Sequence, residues 1–244
     1  MQSVERALDL LEALATAEQP LGVTALARQT GLPIGTIHRL LSTLLQRGFV
    51  RQDGSRAYAP GPSLFRVGQR NVRRWAAPAG PYLARLVEVS GETANLAVLE
   101  GDYIVYVAQV PSPHRLRMFA EVGRHVTAHS TAVGKVLLAD LPPASVQGVV
   151  RRVGLPTHTP RTISAVPDLM RELDKVRADG WAMDAEEEEL GVRCVAVPVR
   201  EAGRVVASLS VSGPAARFDS VELGALVEQM QDVADDFAAE AFGA

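Results

Sequence analysis

Residues 21–50 (LGVTALARQTGLPIGTIHRLLSTLLQRGFV) constrain this chain more than any other stretch. They predict a helix, a tight turn and a second helix that opens at Pro33, because proline is pre-set for the first helical position. Apolar residues in the second helix recur at the spacing of a buried helix face. These residues are Ile37, Leu40, Leu41, Leu44 and Leu45. An ordinary two-helix hairpin in a globular core shows the same stripe, so the stripe alone does not establish what kind of two-helix unit this is.

The opposite face of the second helix has a different composition. Its residues are small, polar or cationic, as an element that enters the DNA major groove requires. They are Gly35, Thr36, Arg39, Ser42 and Thr43. A helix-turn-helix is therefore the first interpretation, and DNA binding the first function. The predicted base-contacting residues lie in the first two turns: Ile34, Gly35, Thr36, His38 and Arg39.

A short hairpin is predicted directly after the second helix. Gly48 can end the helix as a C′ glycine, and residues 49–51 then start a strand. Asp53-Gly54 is a hairpin turn signal, after which residues 56–58 return. A helix-turn-helix followed by a two-stranded hairpin is a winged helix. Arg51 and Arg56 flank the turn, where a wing meets DNA phosphates, and we predict that both contact the phosphate backbone.

The charge distribution favours nucleic-acid binding by one part of the chain. The 244 residues have a formal net charge of −3. Residues 1–75 hold ten arginines and five acidic residues, a net charge of +5, whereas residues 76–244 carry −8. A basic head and an acidic body are expected when only the head binds phosphate.

The rest of the chain predicts a second domain of the α+β class. Residues 63–75 (SLFRVGQRNVRRW) have helical spacing and four arginines, which predicts a linker helix, and residues 76–81 (AAPAGP) break it. Strand pairs separated by helices then follow, an order typical of an α+β sheet. We expect a winged helix-turn-helix domain at residues 1–62, a linker helix at 63–75 and an α+β domain at 76–244.

Composition bounds the cellular setting. No apolar run approaches the length of a membrane span, and no secretion signal precedes the first amphipathic helix. The single cysteine, Cys194, rules out an internal disulfide framework and suits a reducing compartment. The sequence therefore predicts a cytoplasmic protein without a membrane partner.

Several ordered segments resemble the IclR family of bacterial transcriptional regulators. They are SVERALDLLEAL, TGLPIGTIHRLLSTLLQRGFV, GETANLAVLEGDYIVYV, EVGRHVTAHSTAVGKVLL, GVRCVAVPV and SVSGP. Within the family, three segments (GETANLAVLEGD, YVAQVPSPH and RMFAEVGR) look most similar to regulators of allantoin and glyoxylate use. The resemblance implies a transcriptional regulator of a family that includes repressors and activators, and we predict a one-component repressor of a catabolic operon. It also implies a GAF/PAS-like C-terminal domain that binds a small effector.

The resemblance also implies partners. Family members form a homodimer, often a dimer of dimers, and two recognition helices of a dimer would enter successive major grooves of a palindromic operator in double-stranded DNA. The effector is expected to be glyoxylate, another small carboxylate or the neutral ureide allantoin.

The effector-binding residues implied by the family pattern lie in three segments. Backbone amides of Ala132 and Val133, at a predicted helix start, match the segment that receives a carboxylate, which helix N-termini can hold without a lysine. Ser210 and Ser212 alternate by two, so both hydroxyls point to one sheet face and could serve one ligand. Met118 is expected to form an apolar wall. The remaining matches are Asp184, Val192 and Cys194.

Parts of the sequence also fit functions other than regulation. Cys194, His129 and Asp184 have the side-chain types of a thiol hydrolase triad, but Cys194 lacks the exposed turn that activates a nucleophile, and a buried cysteine is usually a core residue. A ligand-insensitive architectural DNA-binding protein would not need so large a second domain. His125 and His129 have a possible metal spacing, yet no third ligand is evident. We expect no catalytic residue, metal or cofactor, and we expect the acidic run 186–189 to be a solvated loop.

Overall fold

The computed structural model of the chain describes residues 2–71, 75–118 and 120–243. The chain folds into two compact units, Met1–Arg70 and Asn71–Ala244. The predicted linker helix at 63–75 corresponds in part to a helix at Ser63–Asn71. Residues 72–74 of that prediction lie outside the described residues.

The N-terminal unit contains four helices and a two-stranded sheet among its described residues. The elements are α1 (Gln2–Ala15), α2 (Val23–Thr30), α3 (Ile34–Gln46), β1 (Val50–Gln52), β2 (Tyr58–Pro60) and α4 (Ser63–Asn71). One apolar side of α3 packs inward, with Ile37 and Leu41 fully buried beside Leu10, Leu14 and Leu26. The apolar stripe predicted for this helix is therefore its buried face. The order of α2, α3, β1 and β2 confirms the predicted helix-turn-helix followed by a two-stranded wing.

Both ends of α3 have defined caps. Pro33 is the N-cap, and its carbonyl accepts the amides of Thr36 and Ile37. The prediction that Pro33 is the first helical residue is thus wrong by one position, because its extended ψ of 138° places it just outside the helix. At the other end, Gly48 adopts a φ of 72° and its amide donates to Leu45. This left-handed glycine ends the helix as predicted.

The wing is a short antiparallel hairpin. Val50 pairs with Pro60, and Gln52 pairs with Tyr58. Leu21 adds a bridge to Tyr58 through two backbone hydrogen bonds of 2.9 and 2.8 Å, which ties the segment before α2 to the wing. The hairpin is therefore anchored to the helices on one side and free at its turn.

The C-terminal unit is built on one antiparallel sheet with the strand order β5-β4-β3-β8-β7-β6. The strands are β3 (Thr93–Glu100), β4 (Tyr103–Val110), β5 (His125–Thr127), β6 (Ala182–Ala185), β7 (Val192–Glu201) and β8 (Arg204–Pro214). Every pair of neighbouring strands in this sheet is antiparallel. This α+β arrangement agrees with the prediction.

Helices cover both faces of the sheet. On one face, α5 (Ala77–Ser90) and α10 (Leu223–Phe242) bury apolar residues such as Leu83, Leu96 and Phe237. On the other face, which we call the site face, α6 (Ala132–Ala139), α7 (Pro143–Val153) and α8 (Val166–Asp179) form a second core. The short α9 (Ala215–Phe218) follows β8.

The sequence wrongly predicts a break at residues 76–81. The helix α5 runs through this segment and includes Pro78 and Pro81. Pro78 lies in the first turn, where an amide has no intrahelical partner. Pro81 removes only one further hydrogen bond, and the complete burial of Leu83 and Leu86 against the sheet stabilises the helix in spite of it.

A close backbone approach positions the start of α6. A Cβ built on Gly134 would overlap the carbonyl oxygen and the Cα of Ala128. Only glycine therefore allows the chain that enters α6 to fold back against its first turn. The turn carries Thr131, whose hydroxyl accepts the Gly134 amide at 3.1 Å.

We expect Gly134→Ala to lower the unfolding free energy of the C-terminal unit by about 1–3 kcal/mol, because the added methyl must displace backbone. Gly80→Ala is the matched control, since nothing lies within 4 Å of its new Cβ in α5. The control should be neutral or stabilising by up to about 1 kcal/mol. Urea unfolding followed by circular dichroism measures both. Equal stability of the two variants would contradict the close approach.

Candidate functional site

The predicted base-contacting residues share one exposed surface of α3. Gly35, His38 and Arg39 are exposed, Ile34 is 51% exposed despite being apolar, and Thr36 is half-buried. In the described part of the chain, no acidic side chain forms an ion pair with Arg39. The surface thus combines an available guanidinium with small neighbours that permit close approach.

The turn of the wing is organised by Asp53. Its carboxylate accepts the Ser55 hydroxyl at 2.6 Å and the Ser55 and Ala57 amides at 2.9 and 3.0 Å. The Ser55 hydrogen bond, followed by that of Ala57, lowers the pKa of Asp53. Arg56 has a φ of 63° in this turn, and both Arg56 and Arg51 are exposed. The ordered turn therefore presents two cations at its flanks.

A cavity of about 360 Å³ opens on the site face of the C-terminal unit. Five of the eight predicted effector residues line it: Met118, Asp184, Val192, Cys194 and Ser212. Ala132, Val133 and Ser210 are not among the lining residues. The prediction for Ala132 and Val133 concerns their backbone amides and not their buried side chains.

Strand register places four polar side chains next to one another across the sheet. Asp184 pairs with Cys194, Cys194 with Ser212, and Ser212 with Thr93. We call this line the Thr93 row, and all four residues line the cavity. The row forms because the four positions are cross-strand neighbours, whose side chains share one face.

Ser210 lies in a second line that we call the Asn95 row. Ser210 pairs with Asn95 on β3, and Asn95 pairs with Gln109 on β4. The Asn95 amide nitrogen lies 3.4 Å from Ser210 Oγ and 3.3 Å from Ser212 Oγ. The expectation of two serine hydroxyls in the cavity is thus met only by Ser212, because Ser210 is buried beside Asn95.

The N-terminus of α6 borders the cavity through Thr131. Thr131 is the N-cap, and its hydroxyl is occupied by the Gly134 amide. The first amides of a helix have no intrahelical acceptor, which leaves those of Ala132 and Val133 as donors at a positive helix end. This is the arrangement that holds a carboxylate without a cationic side chain.

Asp184 is the most buried charged group of the cavity wall, with 1% of its surface exposed. Its Oδ1 accepts the amides of Glu187 and Glu188 at 2.7 and 3.4 Å. Among the described residues, no donor reaches its Oδ2. Burial, and then the charge of Glu187, raise the pKa of Asp184 to about 7 against the lowering effect of these hydrogen bonds.

A fully buried lysine holds the turn that carries these acids. The ammonium of Lys135 donates to Glu187 at 2.5 Å, to the Met183 carbonyl at 2.9 Å and to Glu172 at 3.3 Å. Burial nevertheless raises the pKa of Glu187, although Lys135 opposes this. The expected solvated loop at 186–189 is therefore wrong, because Glu187 is buried and Glu188 both lines the cavity and accepts the Ser130 hydroxyl at 2.5 Å.

The residues of the hydrolase alternative are not activated. Burial and the neighbouring Asp184 raise the pKa of the Cys194 thiol, which stays protonated at neutral pH. His129 Nε2 lies 3.1 Å from the Pro156 carbonyl, and burial lowers the pKa of this histidine. A protonated thiol is a poor nucleophile, so the geometry does not support thiol catalysis.

Sequence reasoning missed ten of the fifteen described residues that line the cavity. Thr93 and Asn95 could have been found from their alternation in β3, which places both on one face. The other missed residues come from a covering segment, which we define as residues 111–118 and 120–124, and from separate elements. They are Tyr106, Ala120, Glu121, Arg124, Val126, Thr131, Glu188 and Glu189.

Two absences hold for residues 2–71, 75–118 and 120–243. No group of three or more histidine, cysteine or acidic side chains is arranged to bind a metal ion. None of the helices in these ranges has both the length and the apolarity needed to cross a bilayer.

Two family profiles match the chain. The profile described as "Bacterial transcriptional regulator IclR C-terminal" matches residues 67–239, and that of the "IclR helix-turn-helix domain" matches residues 3–54. The transcriptional repressor IclR of Escherichia coli (strain K12) is 38% identical over 236 residues, which cover 93% of this chain and 86% of that protein.

Solved structures match at full length. The IclR of Thermotoga maritima is similar with a TM-score of 0.80 and 28% identity, covering 99% of both chains. An IclR homolog of Microbacterium hydrocarbonoxydans, complexed with 4-hydroxybenzoate, has a TM-score of 0.83 and 22% identity, covering 98% of both chains. The second likeness concerns the fold alone.

Asp184 should make the stability of the C-terminal unit depend on pH. Its pKa of about 7 in the folded chain exceeds the ordinary 3.8, so the folded state binds the extra proton between these values. The resulting stabilisation is complete below the lower value and is lost as the pH rises through about 7. Asparagine does not ionise, so Asp184→Asn removes this loss. As the pH rises from about 5 to about 8, we expect the unfolding free energy of the variant to increase by about 1–3 kcal/mol relative to that of the wild type.

Urea titrations across this pH range measure the difference. Asp232→Asn, an exposed carboxyl on α10, is the control and should keep the wild-type pH dependence. If the Asp184→Asn curve runs parallel to that of the wild type, Asp184 ionises at its ordinary pKa.

Proposed function

We propose that this chain, which belongs to the IclR family of bacterial transcriptional regulators, represses a catabolic operon until a small carboxylate fills the cavity. Membership of the family makes it a DNA-binding regulator with a C-terminal effector-binding domain. The relatives are regulators and not enzymes. We assign DNA binding to residues 1–62, the linker to 63–75 and effector binding to 76–244. Because it acts on the chromosome, we place it in the cytoplasm.

The DNA contacts are proposed from the two basic surfaces of the N-terminal unit. The exposed side of α3 would enter the major groove, with Ile34, Gly35, Thr36 and His38 near the bases and Arg39 on a guanine or a phosphate. Arg51 and Arg56 on the wing would meet phosphates. A homodimer, or a dimer of dimers, would place two α3 helices in successive major grooves of a palindromic operator.

The observation that carries the effector proposal is that Thr131, the N-cap of α6, lines the same cavity as Ser212 and Asp184. The free amides of Ala132 and Val133 favour an anion. Asp184 Oδ2 accepts a hydrogen bond when Asp184 is ionised and donates one when it is protonated, so the effector should also carry a group, such as a hydroxyl, that can do either. Met118, Val192 and Cys194 supply the less polar walls. A compact carboxylate with one further polar group satisfies these requirements.

The candidates follow from that chemistry. Glyoxylate, which hydrates to a gem-diol, and small hydroxy or keto acids fit the anion site, whereas allantoin is the neutral alternative. The cavity of about 360 Å³ is at the lower end of the range for small-molecule sites, so larger acids such as 4-hydroxybenzoate belong in the same panel. A thermal-shift screen of the full-length protein tests them, since a ligand bound only by the folded state raises the melting temperature. No shift with any acid would reject the proposal.

The two DNA-contacting surfaces should respond differently to alanine substitution. We expect Arg39→Ala to weaken binding to a DNA sequence recovered by in vitro selection by about 1–3 kcal/mol, and to weaken random DNA less. Arg51→Ala and Arg56→Ala should weaken all sequences about equally and lower the slope of log affinity against log salt by about 1 each.

Fluorescence anisotropy at several salt concentrations separates these effects. Arg151→Ala removes the same charge from an exposed site on α7 in the other unit and should leave both quantities unchanged. A wing variant whose loss is confined to one base position would show that the wing reads sequence.

Removing the Ser212 hydroxyl should weaken effector binding without changing DNA binding in the absence of effector. We expect Ser212→Ala to weaken the acid that scores best in the thermal-shift screen by about 1–3 kcal/mol, because a buried partner is left unpaired. Operator affinity without the acid should stay at the wild-type value. Calorimetry and a gel shift on one preparation measure both. Ser208→Ala, whose hydroxyl bonds the Val197 carbonyl and lines no part of the cavity, is the control and should respond normally to the acid.

A further inference from the structure

The Asn95 row links the cavity-lining Ser212 to the covering segment through two side-chain amides. Gln109 Nε2 lies 2.9 Å from Asn95 Oδ1 and 3.0 Å from the carbonyl oxygen of Ala120. Asn95 Nδ2 in turn faces the hydroxyls of Ser210 and Ser212. Asn95 lines the cavity and is 1% exposed, so its hydrogen bonds are not shared with bulk water.

A backbone carbonyl fixes the direction of this row. The orientation of a side-chain amide must be assigned from its partners, and the Ala120 carbonyl can only accept. Gln109 must therefore turn its NH₂ group towards Ala120, and the second hydrogen of that group points to Asn95. Asn95 then has to present its oxygen to Gln109 and its NH₂ group to the two serines.

This direction determines what Ser212 can offer to a ligand. Because Ser212 Oγ accepts from Asn95, its own hydrogen points away from Asn95 and can be donated either to the neighbouring Cys194 sulfur or to a ligand. Two strands away along the Thr93 row, Asp184 Oδ2 has no hydrogen-bond partner among the described residues. The cavity wall thus presents one donor with a fixed role, Ser212, and one oxygen, Asp184 Oδ2, that accepts when Asp184 is ionised and donates when it is protonated.

We propose that Asn95 and Gln109 are specificity-determining positioning residues, which hold Ser212 as a hydrogen-bond donor and thereby select an α-hydroxy acid over its amide. The inference rests on the proposed function, since it takes the cavity to be the effector site. A carboxylate offers only acceptors to Ser212 and the α6 amides, while the hydroxyl of the acid can donate to an ionised Asp184 or accept from a protonated one. The corresponding amide would place an NH₂ group against donors.

The test compares glycolate with glycolamide, which have the same hydroxyl and nearly the same shape. Isothermal calorimetry on the full chain gives the dissociation constant of each probe. We expect the wild type to prefer glycolate by at least about tenfold, which is about 1.4 kcal/mol. Asn95→Asp reverses the row, because a carboxylate can only accept, so Ser212 must donate to it and offer a lone pair to the cavity.

Asn95→Asp should therefore bind glycolamide more tightly than the wild type does and glycolate more weakly. The new carboxylate would have Gln109 and two serines as donors, which favours folding. Ala120→Asp is the charge control: it adds a negative charge to the cavity wall and keeps the carbonyl that directs the row. It should weaken glycolate without any gain for glycolamide.

A neutral variant gives an independent readout. Gln109→Met keeps a side chain of similar length but removes both donors, so Asn95 is free to turn over and the preference for glycolate should fall several-fold. Gln147→Met, an exposed glutamine on α7, should keep the wild-type preference.

The outcomes separate this inference from the proposed function. If glycolate binds and Ser212→Ala weakens it, but Asn95→Asp and Gln109→Met keep the wild-type ratio of the two probes, the inference is overturned while the effector site stands. If no acid of the screening panel binds the wild type, the proposed function fails and the inference fails with it. Reversal by Asn95→Asp without reversal by Ala120→Asp supports the inference.

Discussion

The buried ammonium of Lys135 is the interaction on which the geometry of the cavity depends. It joins α6 to β6 through the Met183 carbonyl and to the turn after β6 through Glu187, and it reaches Glu172 on α8. A buried charge is tolerated only when it is paired and hydrogen-bonded, and three acceptors satisfy this lysine. Removing it would leave Glu187 as an unpaired buried carboxylate, a change that typically costs several kcal/mol. The ion pair therefore fixes where Asp184 and Glu188 lie.

The same cluster explains the unusual state of Asp184. Lys135 is engaged by Glu187 and so neutralises Asp184 only weakly, while burial and the Glu187 charge both favour its protonated form. An anionic effector consequently meets a wall acid that holds a proton near neutral pH. The charge conflict between an acidic wall and a carboxylate ligand is reduced in this way, and the positive end of α6 does not need a lysine or arginine beside it.

The sequence predicts a structural feature well when the residues that determine it are close together along the chain, and poorly when they are far apart. The α3 stripe and the Gly48 terminus depend on residues a few positions apart, and the structure agrees with them. Pro81 is different, because the helix around it persists through burial of Leu83 against the sheet, which no local pattern contains. Ser210 is a related case: alternation correctly places it on the site face, but its distance from the cavity depends on Asn95, more than a hundred residues earlier.

The acidic run at 186–189 shows the same limit more clearly. Four consecutive glutamates are typical of a solvated loop, and only Lys135, far away in sequence, makes burial of Glu187 possible. Thr159 and Thr162 then bind the carbonyls of Glu186 and Glu187 at 2.7 and 2.6 Å, which completes the turn. A position whose role is set by long-range partners cannot be inferred from its own neighbours.

The strands that line the cavity and the covering segment belong to one hydrogen-bonded network. The Thr93 row ends where the Thr93 hydroxyl donates to the Met118 carbonyl at 2.9 Å, and the Asn95 row ends at the Ala120 carbonyl. The covering segment has little regular structure of its own, and these side chains hold its backbone over the sheet. Ser212 is bonded to Asn95, Asn95 to Gln109, and Gln109 to the covering segment, so contacts made at Ser212 also affect the groups that hold this segment. The selectivity of the cavity and the order of its cover therefore share one physical origin, the fixed direction of hydrogen bonds across β8, β3 and β4.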